Sequence, residues 1–430
     1  MASNIPFYPL LASLAVAVIL LYLFHLRKRT LQSSPLTPLT EKHTTSFKRY
    51  TPLEIATLGR FPDYSTLSGV PPPKPYPNFN IATAKPRPYR PFRWAYHQTM
   101  SLSKLDPDFW IELENTYPSR LAQRHRLYET HGTNIIDYLP GPSPSDAERL
   151  ALACRELMEM VVQFLIMRYP HYFSLNEAET VFYNGILNKR FELDRMDPLM
   201  VVFENVPEDF IVMMDDADDG VEGKGKGEYF CRAGVVCSSI GWCLGEKIGR
   251  GLGEIHGGVP YMERIGGSMA RYFKKLPPNK PIQRGSWDLV IGQPLFELPG
   301  PELTELKSKQ SPNLKEEDIT LRVDWQTLRR LPLSGAIVFN YKALFTPLSE
   351  LADEPGVPAI LEKVLKEGDK VILEYKGVWH VEHIALPMLE RMKKGQEERG
   401  LWEESRGVRT LQETPFFRGW EEKWRRQQGF

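Results

Sequence analysis

The chain has 430 residues, with 54 basic and 54 acidic side chains, so its balance offers no basic footprint of the kind nucleic-acid binding requires. That length can bury one large core or two ordinary ones. Its four cysteines, Cys154, Cys231, Cys237 and Cys243, are too few for a disulfide framework and lack C-x-x-C spacing, so reduced and mostly buried thiols are expected.

Residues 5–26 contain no Asp, Glu, Lys or Arg. At about 1.5 Å of rise per residue they can cross a hydrocarbon core of about 30 Å, and a single transmembrane helix is expected within residues 1–30. No basic residue precedes the run and no A-x-A-like site follows it, which disfavours a cleaved signal peptide. Arg27, Lys28 and Arg29 follow the span, so the positive-inside rule turns the rest of the chain to the cytosol, for example from the endoplasmic reticulum. The sequence has no N-x-[ST] acceptor, in keeping with that side. Residues 31–88 read as a proline-rich tether, stiffest at residues 71–75 and at Pro86 and Pro88. A folded domain is expected over residues 89–394, followed by a charged, Trp-rich tail over residues 395–430 that holds Trp402, Trp420 and Trp424.

Asp106-Pro107-Asp108 reads as a helix start, with Trp110, Leu113, Leu121 and Leu127 in helical spacing and Gly132 as the stop. Residues 143–170 read as a longer helix capped by Ser145 or Asp146, with Leu150, Cys154, Leu157, Val161, Phe164 and Leu165 on its core face. Residues 200–205 and 210–214 read as strands, followed by an acidic turn. There Asp216 and Asp218 have the spacing with which some sugar transferases hold a divalent cation, whereas a solvated hairpin loop explains the same residues.

Residues 229–239 read as a buried strand, after which seven glycines between Gly241 and Gly258 let the backbone turn sharply. The spacing does not make G-x-G-x-x-G. Cys243-x-Gly245 is likewise no thiolate-ligand loop, because Val236 and Ser239 stand where a phenylalanine and a glycine belong. His256 falls within the glycine run, and a helix is expected from Pro260, with Ile265, Met269, Tyr272 and Phe273 at helical spacing. A histidine there could ligate a metal or a haem iron, or serve only as a loop residue. Residues 318–345 read as two strands joined at Ser334-Gly335, and Arg322, Arg329 and Arg330 on the first could fork onto ligand carboxylates or pair with protein acids. Residues 358–367 read as a helix. His380 and His383 share a helical face but lack a third ligand.

Three segments carry a resemblance: FRWAYHQTMSLSKLDPDFW, the run from Arg232 to Leu276, and LRVDWQTLRRLPLSGAIVFNYKALF. Together, over residues 91–390, the chain resembles the family of haem-dependent oxidative N-demethylase alpha subunits. The most specific parts are I-H-x-x-V-P at residues 255–260 and R-x-x-x-Q-T-L-R-R-L-P at residues 322–332. The resemblance implies an α+β fold, a PAS-like antiparallel sheet with packed helices; the transmembrane helix that precedes it, the tether and the Trp-rich tail lie outside the family pattern. It implies haem b with His256 on the iron, Arg322, Arg329 and Arg330 as candidate cofactor-binding residues, and oxidation of an N-methyl group on a small amine. With no nucleotide fingerprint or iron–sulfur cysteine set, electrons would come from a separate reductase. Ser286-Trp287-Asp288 departs from the family pattern, which has asparagine before the tryptophan. A metal-dependent glycosyltransferase using Asp216 and Asp218, and a non-catalytic PAS-like haem sensor, are the alternatives.

Overall fold

A strand buried on both faces belongs in the middle of a sheet, and residues 319–330 form one. The computed structural model describes residues 50–215, 228–403, 405 and 407–428. Among them the strands are β1 (Ser103–Lys104), β2 (Ile136–Tyr138), β3 (Phe173–Leu175), β4 (Val181–Asn184), β5 (Lys189–Glu192), β6 (Asp209–Asp215), β7 (Tyr229–Val235), β8 (Ile282–Ile291), β9 (Ile319–Arg330) and β10 (Ile337–Pro347). The fold is α+β. A seven-stranded sheet runs β1-β8-β9-β10-β6-β7-β2, every neighbouring pair antiparallel, and β3-β4-β5 make a smaller sheet.

Side chains alternate along a strand, so β9 sorts its residues between two layers. Leu321, Val323 and Trp325 enter the larger core together with Leu150, Leu157 and Val161 of the helix Pro144–Arg168. Leu328 points the other way. With Ile282, Ile337 and Phe339 it forms a second core, closed by Met269 and Phe273 of the helix Met262–Lys275. The expected helix at residues 143–170 starts where Ser143 Oγ accepts the Asp146 N–H at 3.2 Å and the Asp146 carboxylate accepts the Ser143 N–H at 3.3 Å. Such a reciprocal cap contributes about 1 kcal/mol. Further along, the buried Glu156 carboxylate accepts the N–H groups of Leu333 and Ser334 at 2.6 and 2.9 Å, fastening the helix to the β9–β10 turn. Gly335 allows that turn its left-handed φ of 73°.

Four expectations change. The helix expected from Asp106 begins only at Tyr117, after a single 3-10 turn at Pro107–Phe109, and holds Leu121 and Leu127 but not Trp110 or Leu113. Residues 200–205 lie in a helix, Pro198–Asn205, because Asp197 Oδ1 accepts the N–H groups of Leu199 and Met200 at 2.9 and 3.1 Å and Pro198 occupies the first turn. That start outweighs the β-branched composition which suggested a strand.

The segment expected to be a tether is, over its described part, packed onto the domain. Phe61, Tyr64, Phe79 and Ala84 join the larger core, and Tyr64 OH donates to the buried Glu159 carboxylate at 2.6 Å. Proline keeps this strap irregular, while aromatic anchors at intervals hold it down. The tail is also docked: Phe417 is 1% exposed, Pro415 O accepts the Arg90 N–H at 2.6 Å, and Trp424 Nε1 donates to Lys85 O at 2.7 Å. No helix among the described residues is long and apolar enough to cross a membrane, and residues 5–26 lie outside them.

Candidate functional site

His256 follows a short helix, Leu252–Ile255, that the backbone ties to the sheet. Cys231 N–H donates to Arg250 O at 3.0 Å and Gly249 N–H to Cys231 O at 2.7 Å. Gly249 has a left-handed φ of 76°, a backbone conformation that favours glycine. Leu252 and Ile255 pack with Ile282, Leu328 and Phe339, which puts the loop on the second face of the sheet.

The imidazole is oriented. Its Nδ1 lies 2.9 Å from Leu252 O, and because a carbonyl only accepts, Nδ1 carries the hydrogen and Nε2 keeps the lone pair. Burial pushes the His256 pKa below its ordinary value; the Leu252 hydrogen bond opposes this, and the charges of Arg284 and Lys247 add to the lowering. The ring is therefore neutral at pH 7, as a metal ligand must be. Lys247 Nζ donates to Ile255 O at 3.0 Å and steadies the same turn.

Opposite the loop, the strand registers line up Arg284 of β8, Gln326 of β9 and Tyr341 of β10 in one row, all half-buried. Arg284 has no acid within ion-pair range among the described residues, and its Nε has no hydrogen-bond partner. Burial lowers its pKa, with Tyr341 and Tyr89 opposing. Burial also raises the Tyr341 pKa, so the phenol keeps its proton. The Tyr341 ring stacks on Phe339 at 5.8 Å and meets Trp242 edge-on at 6.4 Å. Half-buried Met100, Leu102 and Met262 add apolar surface beside it. At one end of the face Lys376, held by Trp287 O at 2.5 Å, has its pKa lowered to about 8 by burial, against the pull of Asp288 and Asp324. A cleft of about 410 Å³ opens beside the loop, between Leu252-Gly253 and Gly266-Gly267; neither His256 nor Arg284 lines it.

The expected arginines are placed differently from one another. Arg322 spends its fork on the protein: Nε donates to Asp324 at 2.9 Å, Nη1 to Pro294 O at 2.8 Å and Nη2 to Ser238 O at 2.9 Å. Arg330 does likewise, donating to Leu276 O at 2.6 Å, Gly335 O at 2.7 Å and Phe273 O. Arg329 follows the alternation to the opposite face, where its guanidinium lies 4.2 Å from the Trp110 ring. Arg322 and Arg330 thus spend their donors on the protein and Arg329 lies on the opposite face, whereas Arg284, on the face of His256, has an Nε without a partner. Its signal was faint: one arginine inside an apolar strand, with no acid two residues away on the same face at Ile282 or Ser286.

His380 Nδ1 meets Gly377 O at 2.8 Å and His383 Nε2 meets Ser311 O at 3.0 Å, so each serves the backbone. No group of three or more His, Cys, Asp or Glu able to hold a metal ion occurs among the described residues. Asp216 and Asp218 lie outside them, in the connection between the antiparallel neighbours β6 and β7. All four cysteines are free and buried, and burial raises the Cys231 and Cys237 thiols to about 12. Compared with known families, residues 101–386 match the family described as haem-dependent oxidative N-demethylase, alpha subunit-like.

Proposed function

The chain belongs to the haem-dependent oxidative N-demethylase, alpha subunit-like family, and from that premise we propose that it is a haem-binding oxidoreductase that demethylates a small amine. The observation that carries the reading is His256, a neutral imidazole whose Nδ1 is fixed by Leu252 O. A zinc ion takes three or four protein ligands. Among the described residues His256 has no such companions, so the metal it suits is one that brings its own macrocycle. We read the antiparallel sheet as PAS-like and the group as haem b, held by His256 Nε2.

When bound, haem supplies the activation of dioxygen and the oxidation of an N-methyl carbon. The protein's part is to hold, charge and dry the site. Arg284 is free to balance negative charge on a group bound beside it, since no acid among the described residues pairs with it. Tyr341 keeps its proton on Oη at neutral pH and is a donor towards the same space. Trp242, Met100 and Leu102 exclude water from a flat ligand. We take the electrons to come from a separate reductase protein, and residues 5–26 to anchor the chain in a membrane with the folded domain facing the cytosol.

The test is the visible spectrum of the full chain, purified in detergent and loaded with haem, beside His256→Ala. A Soret band that is lost or displaced in the variant is expected, together with formaldehyde from N-methyl amines when a surrogate donor is supplied. A wild type that takes up no haem overturns the reading.

A further inference from the structure

The face of the sheet turned away from His256 holds a second cation without an acid. Arg329 is 7% exposed and makes no ion pair among the described residues, and its Nε has no hydrogen-bond partner. Trp110, beneath it at 4.2 Å and 2% exposed, has an Nε1–H that is also without a partner. Glu156 is the acid whose field reaches Arg329, but its oxygens are taken by Leu333, Ser334 and the Ser334 hydroxyl. Neighbouring residues thus each carry a buried N–H without an acceptor, Arg329 Nε and Trp110 Nε1. Leaving such groups unmatched is costly, and more so for a charged one.

Both residues line one cavity of about 50 Å³, open to the surface. A single water needs about 10–15 Å³, so there is room for a few non-hydrogen atoms at the floor. The walls are mostly apolar, with Val70, Pro72, Met160, Phe164 and Met167, and carry Ser65, Ser68 and Gln163 among them. The proline strap forms one wall and is fixed there by Gln163, whose Nε2 donates to Phe61 O at 3.0 Å and Pro62 O at 2.9 Å.

We propose that this cavity is a binding site for a small monocarboxylate with an apolar tail. The carboxylate takes the planar fork of Arg329 and the Trp110 N–H, and the tail runs out along the prolines and Met160. A planar, singly charged acceptor matches one guanidinium, whereas a phosphate dianion calls for further donors; of the polar lining residues, Ser65 already donates to Asp63 and Gln163 to Phe61 O and Pro62 O, which leaves the Ser68 hydroxyl alone. Burial lowers the Arg329 pKa only to about 10, so the site is cationic at neutral pH. The site is separate from the one beside His256 and does not depend on the haem reading.

The test is calorimetric titration of hexanoate into the full chain in lipid nanodiscs, in low-chloride buffer, with acetate, decanoate and hexanol in parallel. Saturable one-to-one hexanoate binding is expected, with hexanol not binding. Arg329→Gln should weaken binding at least about tenfold, and Trp110→Phe, which removes the N–H together with part of the ring, by about threefold to tenfold. Affinity rising from acetate to decanoate identifies a fatty carboxylate, and a maximum at hexanoate a shorter metabolite-sized acid. Arg329→Gln removes a buried unpaired charge, so it should fold at least as well as the wild type. No saturable binding, equal binding of hexanol, or unchanged affinity in either variant overturns the proposal.

Discussion

Replacing Arg330 with methionine separates a structural arginine from a cofactor-binding one. Arg330 is 5% exposed and donates to Leu276 O, Gly335 O and Phe273 O, so it joins the C-terminal end of the helix Met262–Lys275 to the turn that begins β10. Each buried carbonyl left without its donor costs about 1–3 kcal/mol, and the guanidinium also complements the negative end of that helix. Because water reaches part of the vacated space, the sum should fall at about 3–5 kcal/mol, the range found when one member of a buried charged network is removed. For a chain of this size the urea slope is at least about 3 kcal/mol per M, so the unfolding midpoint of the haem-free protein should drop by about 1 M. Arg330→Lys should recover only a minor part, since an ammonium cannot span carbonyls arranged for a fork. An unchanged midpoint combined with loss of haem binding would refute this and return Arg330 to the ligand.

Phe417→Ala, which removes a 1% exposed ring of the docked tail from the larger core, should cost about 3–5 kcal/mol in urea unfolding; a loss below about 1 kcal/mol would mean the tail is not docked in solution. Gly285→Ala places a Cβ 2.6 Å from the Tyr89 ring and 3.1 Å from Pro91, and should destabilise by about 1–3 kcal/mol through displacement of the strap, read as a lower urea midpoint. His256 supplies a pH dependence. Since its pKa is lowered in the folded state, the unfolded chain takes up the proton first as pH falls, so the contribution of the neutral ring is complete above about 6.5 and declines below that. Comparing urea midpoints from pH 5 to 8 should therefore give a shallower acid-side slope in His256→Gln than in the wild type, and equal slopes would contradict the lowered pKa.

Where the sequence carried a strong period, it carried the fold: residues 318–345 are the β9–β10 pair, residues 143–170 the capped core helix, and the helix after Pro260 closes the second core. Composition misled where it competed with a local signal. Asp197-Pro198 is a helix start, yet the β-branched run after it drew a strand reading. Proline density hid Phe61, Tyr64 and Phe79, the anchors that pack the strap. His256 stood out in the sequence as a candidate, whereas the arginines could be named there but not sorted by face. Adjacent strand residues face opposite sides, so Arg329 and Arg330 cannot attend the same ligand, a consequence of the strand reading itself. Arg284 and Tyr341 become a site only through inter-strand register, which pairs residues far apart in the chain and leaves no short-range pattern.

The clasp between the strap and the tail also fixes when this protein can finish folding. Arg90 is held by Pro415 O and by Glu354, Tyr89 packs edge-on against Phe416, and Lys85 O receives Trp424. A ribosome adding about 5–20 residues per second needs about 20–60 s to travel from the strap to these partners. Throughout that interval Tyr89 lacks the Phe416 ring, and Lys85 O and the Arg90 N–H lack the partners that the tail supplies. A premature stop shortly before residue 415 would leave the sheet whole and still release a product with an unclasped beginning, marked for the chaperones and proteases that survey nascent chains.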